Sequence, residues 1–128
     1  MAHGAGDFRL EDMPDPVLDG GAIVRVDAAG VCAADRMIYA GTSPWELDFP
    51  FIPGHEIVGT VEAIDDAAAE RWKVSVGDRV VPEVMVPCGI CAMCRRERFH
   101  LCRDGRHIGS SLPGGWAVMS TPGSSFAE

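Results

Sequence analysis

Val76-Gly-Asp-Arg-Val-Val-Pro-Glu-Val-Met-Val-Pro-Cys88-Gly-Ile-Cys91-Ala-Met-Cys94 runs from a tight turn through β-branched residues into three evenly spaced cysteines, and Cys102 follows after seven more residues. The turn at 76–78 and the run after it predict a strand over Arg79–Val86, which Pro82 confines to a sheet edge or bulge because it cannot donate a ladder hydrogen bond. C-x2-C-x2-C-x7-C is a metal-ligand pattern. Two-residue spacers let successive thiolates converge on one ion, and the longer excursion brings a fourth around to close a tetrahedron. Four thiolates with no open position describe a structural zinc site, and Gly89 suits the knuckle after the first ligand. A ferredoxin-type iron–sulfur run starts similarly but ends with a three-residue spacer and Pro, whereas here Arg103 follows Cys102. Two more readings compete: four unrelated buried thiols, and a zinc ribbon on nucleic acid, since Arg95, Arg96, Arg98, Arg103 and Arg106 lie in this lobe. Arginines that screen the −2 of a four-thiolate zinc account for the same clustering.

Upstream of the lobe, Ala22–Ala28 reads as a strand ending at Gly30, then a junction at Cys32 and a short helix over Ala33–Tyr39 stopped by Gly41. Residues 42–54 form a loop of three prolines and interleaved aromatics, and a strand follows over Glu56–Ile64. Gly59 inside that strand points to a bulge or a close backbone approach. Asp65–Arg71 reads as a surface helical turn and 116–119 as a last strand, with a short strand near Phe8 and Leu10 at the start. The sum is a mainly β domain with short helices.

A length of 128 residues allows one domain, and 47% hydrophobic residues are enough for a core. The formal charge of −8 disfavours general affinity for nucleic acid or an anionic membrane. No apolar run reaches the 18 or so residues of a membrane span, and the N-terminus lacks a secretory signal. With five cysteines, an odd number, these features place the chain in a reducing cytoplasm where thiols hold metal. The fifth, Cys32, together with His55 and Glu56, supplies the ligand types of a catalytic zinc site. Each has a plainer reading, as a small buried residue or a turn histidine, and a separation of 23 positions leaves open whether Cys32 and His55 meet.

Gly30-Val-Cys32-Ala-Ala-Asp35, Pro53-Gly-His55-Glu56-Ile-Val-Gly59, Val76-Gly-Asp78-Arg79-Val80-Val81 and the four-cysteine lobe, in this order and at these intervals, closely resemble the N-terminal catalytic domain of zinc-dependent medium-chain alcohol dehydrogenases. The match runs from about Gly4 to Gly115, and Val84–Cys88 with Asp66–Trp72 is most similar to the polyol dehydrogenase branch. The resemblance implies a GroES-like β-barrel with short helices and a zinc-binding lobe, followed in the family by a Rossmann domain for NAD or NADP. It makes Cys32 and His55 ligands of the catalytic zinc, Glu56 the carboxylate beside it, and Asp35 the acceptor for the free ring N–H of His55. Cys88, Cys91, Cys94 and Cys102 become the structural zinc ligands. The implied chemistry is Lewis-acid activation of a small alcohol or polyol whose hydride passes to the nicotinamide.

Departures from the family pattern carry expectations too. Ala34 and Met37 stand where many members have a hydroxyl and a histidine that relay the substrate proton, so water or Glu56 must substitute or the site is impaired. Only Met-Ala-His precedes Gly4, which predicts loss of the first barrel strand. No Gly-x-Gly-x-x-Gly opens a βαβ unit within 1–128, and the third catalytic ligand lies downstream in the family. The expectation is a single truncated domain, 1–128, with a complete structural zinc site and an incomplete catalytic one, inactive alone. Against it stand a zinc-binding module acting through partners, and one piece of a split dehydrogenase with a complementing chain.

Overall fold

In the computed structural model, which describes residues 1–117 and 119–120, the chain opens with β1 (Ala2–Gly4) turned back on β2 (Asp7–Phe8). A first strand is therefore present, against the expectation that it is lost. Three residues suffice because Ala2 also bridges to Phe51, with hydrogen bonds of 2.8 and 3.1 Å between their backbones. An irregular stretch leads to β3 (Ala22–Ala29), then α1 (Ala33–Ala40), the proline loop, and β4 (Ile57–Ile64). Helix α2 (Asp66–Trp72) follows, capped by Asp65, whose carboxyl is held below the usual range chiefly by the Ala68 N–H.

The expected strand over 79–86 divides instead into β5 (Arg79–Val80) and β6 (Met85–Val86). They belong to different sheets: β5 pairs with β4, whereas β6 pairs with β7 (Arg106–His107) beyond the cysteine lobe. Pro82, itself buried, sits between them, where its missing N–H ends one ladder before the next begins. The last strand, β8, is Met119–Ser120 rather than 116–119. Trp116 and Ala117 are irregular, and Val118 with the tail beyond 120 lies outside the described residues.

The largest sheet is antiparallel with the order β5-β4-β3-β8. Val24 and Val61 face each other across its centre, buried with Ala22 against Trp72, Val74 and Val80. Gly59 opposes Val26, and a side chain there would collide with the Arg25 carbonyl, so the strands approach closely as expected. Asp27 bulges out just beyond, and its carboxylate meets Arg25 and Thr60 on the exposed face. A second cluster, Ile57, Val86, Ile108 and Leu112, anchors the lobe to the sheet. A third, Ala2, Ile38 and Phe51, ties α1 to the N-terminal ribbon. Among the described residues no helix is long and apolar enough to cross a membrane.

Candidate metal centres

The β3–β4 ladder decides which side chains meet. Its last pair is Ala29 with Ile57, and beyond it the Gly30 N–H still donates to the Glu56 carbonyl at 2.7 Å. Antiparallel strands place the exit of one beside the entrance of the next, so Cys32 and His55 arrive together despite the loop between them. Cys32 Sγ lies 3.1 Å from His55 Nε2. Zn–S of about 2.3 Å and Zn–N of about 2.05 Å at a tetrahedral angle would separate these atoms by roughly 3.5 Å, so the pair needs little movement to share an ion.

Cys32 is also the N-cap of α1. The Ala34 N–H donates to its Sγ at 3.3 Å, while its own N–H donates to Asp35 Oδ2 at 2.8 Å. Asp35 is buried, 2% exposed, and its Oδ1 has no hydrogen-bond partner. That orphaned oxygen lies 3.8 Å from His55 Nδ1. A buried carboxylate oxygen aimed at Nδ1 favours the tautomer with hydrogen there, which frees the Nε2 lone pair on the Cys32 side. Cys32, Asp35 and His55 form one compact donor set, all three ligand atoms within 4.8 Å of one another. Glu56 is not among them: it is exposed, and its side chain lies over Gly30, where any Cβ would strike it. Ala34 and Met37 offer no titratable group, and Met37 lines an apolar cavity of about 560 Å³ with Phe8, Tyr39 and Trp116.

Sequence reasoning missed Trp116 as part of this site. Its indole N–H donates to the Gly30 carbonyl at 3.1 Å, and its ring packs on Gly54, so it braces both segments that carry the ligands. Gly114 and Gly115 before it lie against backbone of residues 53–54 and the Ile57 side chain, approaches that a side chain would block. Consecutive glycines ahead of a lone aromatic were the available signal.

The second centre lies in the lobe. Sγ–Sγ distances are 3.5 Å for Cys91–Cys94 and 3.9 Å for both Cys88–Cys94 and Cys91–Cys102. A tetrahedron with Zn–S bonds of about 2.3 Å has edges of about 3.8 Å, so the thiols stand where a zinc would hold them. Disulfide bonding needs about 2.05 Å, and all five cysteines are free. The Cys94 N–H points at Cys91 Sγ, 3.4 Å away, and pulls that thiol down to about 6. Burial and a hydrogen bond with Cys91 push Cys94 the other way, to about 12. In the lobe only Cys94 and the anchoring Ile108 are buried; Arg95, Arg96 and Arg98 all face outward.

Comparison with known proteins gives the family of the fold. Residues 18–124 match the alcohol dehydrogenase GroES-like domain. The erythritol/L-threitol dehydrogenase of Mycolicibacterium smegmatis is 43% identical over 112 residues, covering 80% of this chain and 31% of that protein. The sorbitol dehydrogenase of Bombyx mori is 36% identical, covering 86% of this chain and 32% of that protein. Among solved structures, the alcohol dehydrogenase of Aeropyrum pernix superposes with a TM-score of 0.85 at 29% identity, over 98% of this chain and 38% of that one. The chain thus spans about a third of the length of the relatives it matches. From the match over 18–124 and the shared fold, the chain belongs to the alcohol dehydrogenase GroES-like domain family, and its relatives here include alcohol and polyol dehydrogenases.

Proposed function

We propose that these residues form the metal and substrate side of an NAD(P)-dependent alcohol or polyol dehydrogenase. The observation that carries it is the meeting of Cys32 and His55 at 3.1 Å with the orphaned Asp35 oxygen behind the imidazole. Cys32 and His55 would hold the catalytic zinc, with Glu56 turning in from Gly30 as the nearby carboxylate, and Cys88, Cys91, Cys94 and Cys102 would hold the structural one. Bound zinc supplies Lewis acidity that lowers the pKa of an alcohol. Asp35 fixes the imidazole, and the α1 backbone fixes the sulfur. A groove of about 520 Å³ opens beside His55 and Glu56, walled by Ile57, Val58, Val81 and Val84. Those walls suit a short carbon chain. The carboxylates of Glu56 and Glu83 at the groove accept hydrogen bonds from hydroxyls and repel anionic substrates. With Ala34 and Met37 carrying no proton, Glu56 or water takes the substrate proton in this reading.

Grafting residues 1–117 in place of the matching third of the Mycolicibacterium smegmatis enzyme tests the assignment. The chimera should oxidise erythritol with NAD or NADP, and His55→Ala should abolish turnover without loss of the four-cysteine metal. The 128-residue chain alone should reduce neither nucleotide. A zinc-replete, folded chimera with no activity toward any small alcohol or polyol would refute the proposal.

A further inference from the structure

Cys32 and His55 stand on segments that have little of their own to hold them. The β3–β4 pairing ends at Ala29, and Val31, just ahead of the cysteine, is exposed. Both ligands are preceded by a glycine, Gly30 and Gly54, with no side chain to pack. Gly54 has a φ of 94°, a backbone conformation that residues with a Cβ rarely adopt.

Residues 114–116 supply the missing support. The backbone N–H groups of Gly114, Gly115 and Trp116 donate to the carbonyls of Ile52, Gly54 and Pro53 at 2.8, 2.8 and 3.0 Å. From the same Trp116 the indole Nε1 donates to the Gly30 carbonyl at 3.1 Å, while the ring lies so close over Gly54 that a Cβ there would collide with it. One residue is thus hydrogen-bonded to both segments that deliver a ligand. Its ring is held from another side by Phe8, edge-on with centroids 6.0 Å apart, and Phe8 in turn meets Tyr39 of α1 edge-on at 5.2 Å. Side chains behind a binding constellation must hold it to within about 0.5 Å of its working geometry. The 3.1 Å between Cys32 Sγ and His55 Nε2 leaves little slack for drift of either segment.

We propose, on the reading of Cys32 and His55 as metal ligands, that Trp116 is their positioning residue: its indole N–H fixes the Gly30 peptide, its ring fixes the Gly54 peptide, and together they set the separation at which thiolate and imidazole share an ion. Cobalt titrated into the 128-residue chain, with the four-cysteine centre already filled by zinc, reads the pair through the thiolate-to-cobalt absorption band that Cys32 contributes, and His55→Ala sets the baseline. Trp116→Phe keeps a ring over Gly54 but removes the donor to Gly30, and should weaken cobalt binding about fivefold, the equivalent of one ordinary hydrogen bond. Trp116→Leu removes both contacts and should weaken it by about fiftyfold and shift the band. Trp72→Phe, in the core of the large sheet, should lower the urea midpoint and leave cobalt affinity and band unchanged, as a purely structural loss does. The metal-free chain gives a second measure. A nuclear Overhauser contact between Cys32 Hβ and His55 Hε1 should be present in the parent and fade in Trp116→Leu, while contacts between Val24 and Val61 persist. Parent-like cobalt affinity with an intact Cys32–His55 contact in both Trp116 variants would overturn the proposal, and so would an equal loss of cobalt in Trp72→Phe. Failure of the metal assignment looks different: neither parent nor variant binds cobalt at the pair, yet the contact is still lost on Trp116→Leu and the positioning role stands.

Discussion

Cys91→Ser should dismantle the lobe while sparing the β3–β4 sheet. Inside residues 88–102 only Cys94 is buried, so apolar burial contributes little to holding the segment. Six backbone hydrogen bonds lie within it, among them Arg95 to Cys91, Glu97 to Cys94 and Cys102 to Phe99, each about 3.0 Å long. Such turn bonds contribute about 1 kcal/mol each, so together they fall short of ordering about fifteen residues at about 1 kcal/mol or more apiece. With zinc in the proposed four-cysteine site, the metal supplies the remainder, on the order of 10 kcal/mol in small metallo-domains. Serine at position 91 removes an edge-forming sulfur from a tetrahedron whose pairs are 3.5 to 3.9 Å apart, and leaves the Cys94 N–H a hydroxyl oxygen on a shorter bond as its acceptor. Amide hydrogen exchange with metal analysis reads the outcome. Protection at Arg95, Glu97 and Cys102 should fall by about two orders of magnitude or more, with one tightly held zinc lost, while Val24 and Val61 keep theirs. Unchanged protection in the lobe after the substitution, or the same collapse in β3 and β4, would refute the reasoning.

Three other outcomes follow from particular contacts. Asp35→Asn keeps the acceptor for the Cys32 N–H but turns an amide donor toward His55 Nδ1, which favours the wrong tautomer; cobalt binding at Cys32–His55 should weaken about 10- to 100-fold with the four-cysteine centre unaffected. Once zinc is withdrawn and the lobe opens, iodoacetamide should modify Cys91 and Cys94 at similar rates, because the Cys94 N–H no longer reaches the Cys91 sulfur, whereas the zinc-replete chain should resist modification at both. Gly114→Ala pushes a methyl into the Pro53 and Gly54 carbonyls, and urea unfolding should show a loss of about 1–3 kcal/mol.

Much of this molecule was legible from local chemistry. The two-residue cysteine spacers and the helix that stops at Gly41 with φ of 69° depend on residues near in sequence, and the glycine at 59 signalled a close approach although the strand that makes it, with Arg25, is distant in sequence. Pro82 was read as confining one strand to a sheet edge or bulge; β5 is indeed an edge strand, but the run divides between two sheets, because a proline's lost donor is visible in sequence while the partner strands are not. The three-residue β1 escaped for a similar reason: its stability comes from Phe51. Trp116 gave no periodic signal, and its role rests on a hydrogen bond spanning 86 positions.

By itself the sequence determined the donor types and the gathering of four thiols in one lobe, since a cluster built from short spacers is nearly a local structure. Only the tertiary structure decided that Cys32 meets His55, because the pairing of Ala29 with Ile57 brings together the ends of two strands that a 23-residue separation keeps ambiguous. It also decided that Asp35 rather than Glu56 faces the imidazole. Both carboxylates sit near a ligand in sequence, but the turn of α1 buries the first behind His55 while the β4 entrance leaves the second over Gly30.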